Sequence, residues 1–371
     1  MMASPSFPHP ATIVMTDDGI TFDGKMKDER PLGGAETAFA ELAETLAARG
    51  HHVSVFCRCE APLMWKGVRW TPLDDASRSM GLPRTADLYI ANRSNHLIGR
   101  CEEARHRVFW IHNPAKYLLK WRYQWPLLRY RPTIVFSGPS HLSTYPAWAA
   151  GGARVVIPLG ITPLFLGAAR RETPPPPRAI FLSNPLRSLD WLLDVWAERI
   201  QPRVAGAELH IFAGSSIYGT TGAAKAERMA PIFDKAKHLA DHGVVLRGPI
   251  SKSQLAEEIT QARVFLYRGD IGETFCYAAA EPQAMGLPGV VEDIACMKER
   301  VVDNETGFVV KGQAAFSAAA IRLLSDDDLW LRFHRAALER QGSWTWQNAA
   351  AGFEALMADN QASLTAPQPT A

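Results

Sequence analysis

The most constraining feature of this chain is an order of segments that occurs twice. Residues 12–15 read as a short apolar strand and residues 17–31 as a polar loop that leads into Gly33 and Gly34. Residues 35–49 then read as a helix, because Ala35, Ala38, Phe39, Leu42 and Leu46 recur on one face at helical spacing. Gly50 stands where a C-terminal cap belongs, and Val53, Val55 and Phe56 begin another strand. Strand, glycine turn, helix, strand is a βαβ unit, and its crossover returns the chain in the same direction, so the sheet it builds is parallel. Further strands are predicted at 87–91, 108–111, 133–136 and 155–157.

The same grammar restarts after Pro174-Pro175-Pro176-Pro177, a run too stiff for a core element and suited to an extended linker. Strands are predicted at 179–182, 208–213, 264–267 and 289–291, and helices at 189–200, 254–261, 274–285, 314–324, 327–339 and 346–357. A length of 371 residues, 47% hydrophobic and 21% charged, suits two globular domains. The expected fold is α/β, two Rossmann-like doubly wound domains facing a central cleft. Their expected limits are 1–166 and 179–342, joined by a linker at 167–178. A C-terminal helix at 343–358 is expected to pack back on the first domain, and 359–371 to be a disordered tail.

A net charge of +2 names no partner. Residues 1–10 lack the pattern of a signal peptide, and no run of about 18 apolar residues offers a membrane span, so a cytoplasmic protein is expected. Five scattered cysteines argue against a disulfide framework, and Cys57 and Cys59 have no second pair to complete a zinc site. No metal site is indicated: the acidic run Asp326-Asp327-Asp328 opens a helix and reads as capping.

Residues 272–291 carry the strongest chemical signal. Glu273 and Glu281 are eight apart, which places them on roughly one side of a helix starting near Thr274. The unpaired amides of such a helix start attract a diphosphate. Carboxylates suit sugar and ribose hydroxyls, which donate strong hydrogen bonds to them. The stretch Glu281-Pro-Gln-Ala-Met285-Gly-Leu-Pro288-Gly-Val-Val291 resembles the signature of retaining glycosyltransferases of the GT-B fold, family 4. Gly33-Gly34-Ala35-Glu36, Arg49-Gly50-His51-His52-Val53, residues 304–310 and Ser343-Trp344 resemble other motifs of that family, in the right order.

The resemblance implies roles. Glu281 would bind the donor ribose and Glu273 the transferred sugar, while the amides of Phe275, Cys276 and Tyr277 would face sugar and phosphates. Gly33 and Gly34 would allow close approach to the diphosphate. His112 would lie near the reacting carbon, and backbone near Gly248 would meet the base. Arg187 would supply one phosphate cation, whereas Asn184 stands where the family has an Arg, with Arg247 or Arg268 as substitutes. Further departures are the run 267–270, Cys276 and the run 158–162. The implied activity is metal-independent transfer with retention, from a UDP- or GDP-type nucleotide sugar to a glycan or lipid-linked acceptor, with no cofactor beyond that co-substrate. The alternatives are a non-catalytic nucleotide-sugar-binding subunit, or an epimerase or hydrolase of the same fold.

Residues 112–132 hold five basic residues, five aromatics and no acid. Lys116, Lys120, Trp121 and Arg122 are the candidates there for contact with an anionic membrane surface at its inner face or with the acceptor. The plainer reading is a basic helix covering its domain with aromatics partly buried. No nucleic-acid-binding fold is visible in the sequence.

Overall fold

The structure, a computed structural model, describes residues 10–29, 32–73, 81–214 and 219–358. The tail 359–371 lies outside the described residues. The chain divides into two compact units: the first holds residues 1–30, 34–160 and 344–371, the second 31–33 and 161–343.

The first unit is built on eight strands: β1 (Thr12–Thr16), β2 (His52–Cys57), β3 (Leu63–Trp65), β4 (Val68–Pro72), β5 (Thr85–Asn92), β6 (Glu103–Trp110), β7 (Thr133–Phe136) and β8 (Arg154–Val156). They lie in the order β3-β4-β2-β1-β5-β6-β7-β8, all parallel except the β3–β4 hairpin. Ile13, Val14 and Met15 of β1 are fully buried, as expected for a central strand covered on both faces. The hairpin was not predicted. Its strands are too short to show a period, and its turn rests on Lys66 and Gly67, both at positive φ. Trp70 of β4 nonetheless buries its whole side chain.

The second unit has six strands: β9 (Arg178–Phe181), β10 (Glu208–Ile211), β11 (Val244–Leu246), β12 (Val264–Leu266), β13 (Gly289–Glu292) and β14 (Gly307–Val310). Their order β11-β10-β9-β12-β13-β14 is the doubly wound 3-2-1-4-5-6 arrangement, all parallel. The four prolines run along this unit. The carbonyls of Pro175 and Pro177 accept from Arg263 Nη1 and the Glu208 amide. The units part at Gly160–Ile161, upstream of the prolines. The helix predicted at 189–200 is α-helical only over Leu189–Val195, then widens into a π turn, Trp196–Ile200, before Pro202.

The C-terminal helix, Trp346–Ala358, belongs to the first unit and packs on the helix Gly34–Ala48. Glu354 accepts two hydrogen bonds from the Arg49 guanidinium, both 2.6 Å, and a third contact, 3.0 Å, joins it to His51 Nε2. Phe353 meets Trp110 edge to face at 5.3 Å.

Candidate functional site

Open parallel sheets bind ligands where the strand order reverses, outside the carboxyl ends of the strands. In the second unit that point lies between β9 and β12. The loop after β9 carries Asn184 and Arg187, and the loop after β12 carries Tyr267 and Glu273. The structure brings three of these side chains together. Glu273 Oε1 accepts from Arg187 Nη1 at 2.5 Å and from the Tyr267 hydroxyl at 2.9 Å. The Glu273 side chain is 9% exposed, while Arg187 keeps 38%. Tyr267 is buried, and that burial, with Cys276 and Glu273 beside it, pushes its pKa up, so the phenol stays protonated and donates. Tyr267 begins the departure from the family pattern noted in the sequence, but its hydroxyl was not foreseen as the partner of Glu273.

Asn184 does not act as a cation would. Its Oδ1 accepts from the Leu186 amide, 2.9 Å, and its carbonyl from the Arg187 amide, 2.8 Å, so it shapes the loop that presents Arg187. Arg268, which the sequence offered as a substitute cation, has a carboxylate partner of its own. It is drawn to Glu292 Oε2, 2.8 Å, and lies 5.2 Å over Trp191. Arg247 is likewise held by Glu258.

The helix after β12 begins at Tyr277, not near Thr274, and ends at Ala284. Glu273 therefore precedes the helix, and the expected one-sided helical pair of glutamates is corrected. The cause is a backbone reversal: Cys276, the N-cap, has φ +63, a left-handed conformation that ends the loop and starts the helix. Burial holds the Cys276 thiol well above its ordinary pKa, so it is a neutral thiol. The Phe275 ring is turned inward, 4.3 Å from the buried Arg300 guanidinium. The Tyr277 ring packs edge to face on Phe275 at 5.1 Å.

Glu281 lies on that helix with 4% exposure. Its Oε1 accepts from Lys252 Nζ. Lys252 opens the helix Lys252–Gln261, which Ser251 and Gln254 cap reciprocally, and its ammonium stands 5.3 Å over the Phe165 ring. The sequence reading missed Lys252, because nothing local in residues 251–254 signals a partner 29 residues away. Gly248, at φ +70, turns the preceding loop, and a Cβ there would meet open space.

The first unit has its own reversal point, between β1 and β5. Asp17 follows β1, and Arg93 follows β5. Asp17 is fully buried and accepts from Asn92 Nδ2 (2.6 Å), Arg93 Nη2 (2.7 Å) and the Gly19 amide (2.7 Å). Arg93 also donates to Glu36 at 2.8 Å, three residues beyond Gly33 and two beyond Gly34, which opens the helix Gly34–Ala48. His112, just past β6, contacts Asn92 Oδ1 through Nε2 at 2.9 Å. Since the Asn92 amide nitrogen already donates to Asp17, its oxygen faces His112, and Nε2 carries the proton. Desolvation first, then Arg93 and His141, holds the His112 pKa well below the ordinary imidazole range, so the ring is neutral near pH 7. Asp17, Asn92 and Arg93 escaped the sequence reading, which treated 17–31 as loop. Lys116, Lys120, Trp121 and Arg122 lie in the same unit and are all exposed.

Residues 177–326 match the family described as Glycosyl transferases group 1. D-inositol 3-phosphate glycosyltransferase of Corynebacterium diphtheriae is 35% identical over 89 residues, 24% of this chain and 21% of that protein; the Corynebacterium glutamicum enzyme is 32% identical over the same length. The chain thus spans about a fifth of the length of these curated relatives. Sucrose-phosphate synthase from Thermosynechococcus elongatus has the same fold, with a TM-score of 0.71 at 17% identity over 95% of this chain and all of that one. HepE from Anabaena, solved with UDP and glucose, gives 0.67 at 13% over the same shares. The cluster of Arg187, Tyr267 and Glu273 thus lies within the segment 177–326 that matches the group 1 glycosyl transferases, and the two parallel-sheet units have the GT-B fold of the solved glycosyltransferase structures.

Proposed function

We propose that the chain is a retaining, metal-independent glycosyltransferase that moves a sugar from a UDP- or GDP-type nucleotide sugar to a glycan or lipid-linked acceptor, in the cytoplasm and partly at the inner face of a membrane. The observation that carries this reading is the Arg187–Glu273–Tyr267 cluster at the reversal point, beside the start of the helix Tyr277–Ala284. Without a donor, Arg187 and Glu273 neutralise each other. A diphosphate entering at the helix start competes for Arg187, and the freed Glu273 carboxylate accepts from hydroxyls of the transferred sugar. Tyr267 keeps that carboxylate aimed. Lys252 and Glu281 form the second pair, with Glu281 accepting from the ribose hydroxyls. The amides of residues 275–277 and the two cations offset the charge that grows on the leaving diphosphate. In transfer, the bond from the anomeric carbon to the diphosphate breaks and the bond to the acceptor oxygen forms. The acceptor proton leaves with the nucleoside diphosphate. The family resemblance supports retention, and the UDP bound by HepE supports the donor type.

A second reading, a nucleotide-sugar-binding subunit without turnover, has one observation in its favour: Asn184 closes its own loop where the family places a cation. Assay of free nucleotide released from UDP- and GDP-sugars in the presence of candidate acceptors separates the two. Acceptor-dependent release supports the transferase, and saturable donor binding without release supports the binder.

A further inference from the structure

From Ala104 to Arg171 the chain contains no Asp or Glu. Within that stretch, four of the nine large apolar side chains exposed among the described residues, Trp121, Trp125, Leu128 and Trp148, lie on two elements joined by hydrogen bonds, whereas Tyr130 turns to the other side of its helix, over Arg107. The helix Trp121–Tyr130 buries Tyr123 and Leu127 against its unit. At about 100° per residue, Trp121, Trp125 and Leu128 share one outward arc, with Arg122 and Arg129 along its edge. Trp121 is 73% exposed, and its ring lies 6.1 Å from that of Trp125. Tyr123 is buried and Tyr117 half-buried, as the plainer sequence reading expected, while Trp121 and Trp125 stand exposed.

Trp148 is presented by a different element. It sits in a turn closed by the Ala149 amide on the Pro146 carbonyl. Arg154 ties that turn down, donating to the carbonyls of Pro146, Ala147 and Ala149 and lying 4.7 Å over the Tyr145 ring. Gln124 joins turn to helix: its Nε2 donates to the Tyr145 hydroxyl, and its Oε1 accepts from the Ala150 amide. The turn is thus fixed on both sides while its indole stands 76% exposed. Lys116, Lys120, Arg122, Arg129 and Arg131 are exposed around the two elements.

The geometry points to an interfacial docking surface for an anionic phospholipid bilayer, with Trp121, Trp125, Leu128 and Trp148 entering the headgroup boundary and the five cations meeting lipid phosphates. Charge selects an anionic partner. Leu128 on the same arc selects acyl chains over nucleobases, because an aliphatic side chain offers no stacking face. Rigid indoles lose little freedom on insertion, and prior fixing of the turn lowers the cost further. No helix of the described residues is long and apolar enough to cross a membrane. The docking surface deepens the lipid-linked half of the acceptor reading and rests on it only for what the attachment serves.

The test uses the full chain and vesicles of neutral phosphatidylcholine, alone or mixed with anionic phosphatidylglycerol. Sedimentation and tryptophan emission are read for the native protein, for the triple variant Trp121→Ala, Trp125→Ala, Trp148→Ala, and for Arg122→Glu with Arg129→Glu. Melting curves and nucleotide-sugar binding verify that each variant is folded. The native chain is expected to bind mixed vesicles at least roughly tenfold better than neutral ones, with a blue shift, and to be released by salt. Each variant is expected to lose about tenfold in partitioning. Absence of binding to mixed vesicles, unchanged binding by folded variants, or binding to a single-stranded oligonucleotide in place of vesicles would overturn the surface. Vesicle binding without any nucleotide-sugar binding would leave the surface standing and overturn the transferase; the reverse result would do the opposite.

Discussion

Glu281 and Glu273 bear the same charge in different company, and their variants should fail differently. Glu281 faces a lysine whose side chain is half exposed, so removing the carboxylate lets Lys252 return to water. Glu281→Ala is therefore expected to fold, while losing donor affinity by about ten- to a hundredfold, the worth of hydrogen bonds to a charged group. Calorimetric titration with the nucleotide sugar reads the loss. Glu273→Gln keeps the shape but frees Arg187, so donor affinity is expected to hold while turnover falls at least about tenfold. Equal losses in both parameters would contradict the assigned split. Both glutamates were legible as residues, from spacing and family resemblance. Their geometry was not, because the left-handed backbone at Cys276 has no local sequence signal: a glycine there would have announced it. Gly286 is the converse case. Its φ of +78 and a Cβ position 2.7 Å from His334 Nδ1 explain the glycine of the Met285-Gly-Leu-Pro288 motif as a turn requirement. Gly286→Ala should lower stability by more than about 1 kcal/mol in denaturant unfolding.

The C-terminal helix is tied to its unit by one buried carboxylate. Glu354 is buried, and its pKa is lowered: burial acts to raise it, but the hydrogen bonds from Arg49 and His51 outweigh that. Replacing it strands the Arg49 guanidinium, 14% exposed, beneath the helix. Glu354→Ala is expected to cost about 3 kcal/mol, whereas a surface substitution such as Gln347→Ala should change little. Equilibrium denaturation of both variants checks the difference. Long helices and buried parallel strands were readable because their apolar spacing survives over many residues. The β3–β4 hairpin and the π turn at Trp196–Ile200 were not, since three- and five-residue elements carry no resolvable period.

At the scale of the whole molecule, each unit places its polar cluster where its strand order reverses, and that topology was visible as a repeated βαβ grammar before any side chain was placed. Partners distant in sequence, such as Lys252 to Glu281 or Arg93 to Asp17, needed the folded chain. Folding also sets the acid response. Burial lowers the imidazole pKa of His112 and His334, the latter accepting the Arg171 amide through Nε2. An unfolded imidazole takes up its proton near pH 6.5, while these take it up only at lower pH, so between the two values the unfolded chain binds more protons. Stability is expected to be full above about pH 6.5 and to decline as pH falls below it, seen as a falling melting temperature between about pH 7.5 and 5.5. A rising one would contradict the buried, neutral state of these rings. The central claim, a donor site at the second unit's reversal point, is tested most directly by calorimetric titration of UDP-, GDP- and ADP-sugars into the native chain, Arg187→Ala and Glu281→Ala. Saturable binding of a UDP- or GDP-sugar to the native chain, weakened at least about tenfold in both variants, is the expected result. Binding of none of them, or equal binding by all three proteins, would contradict it.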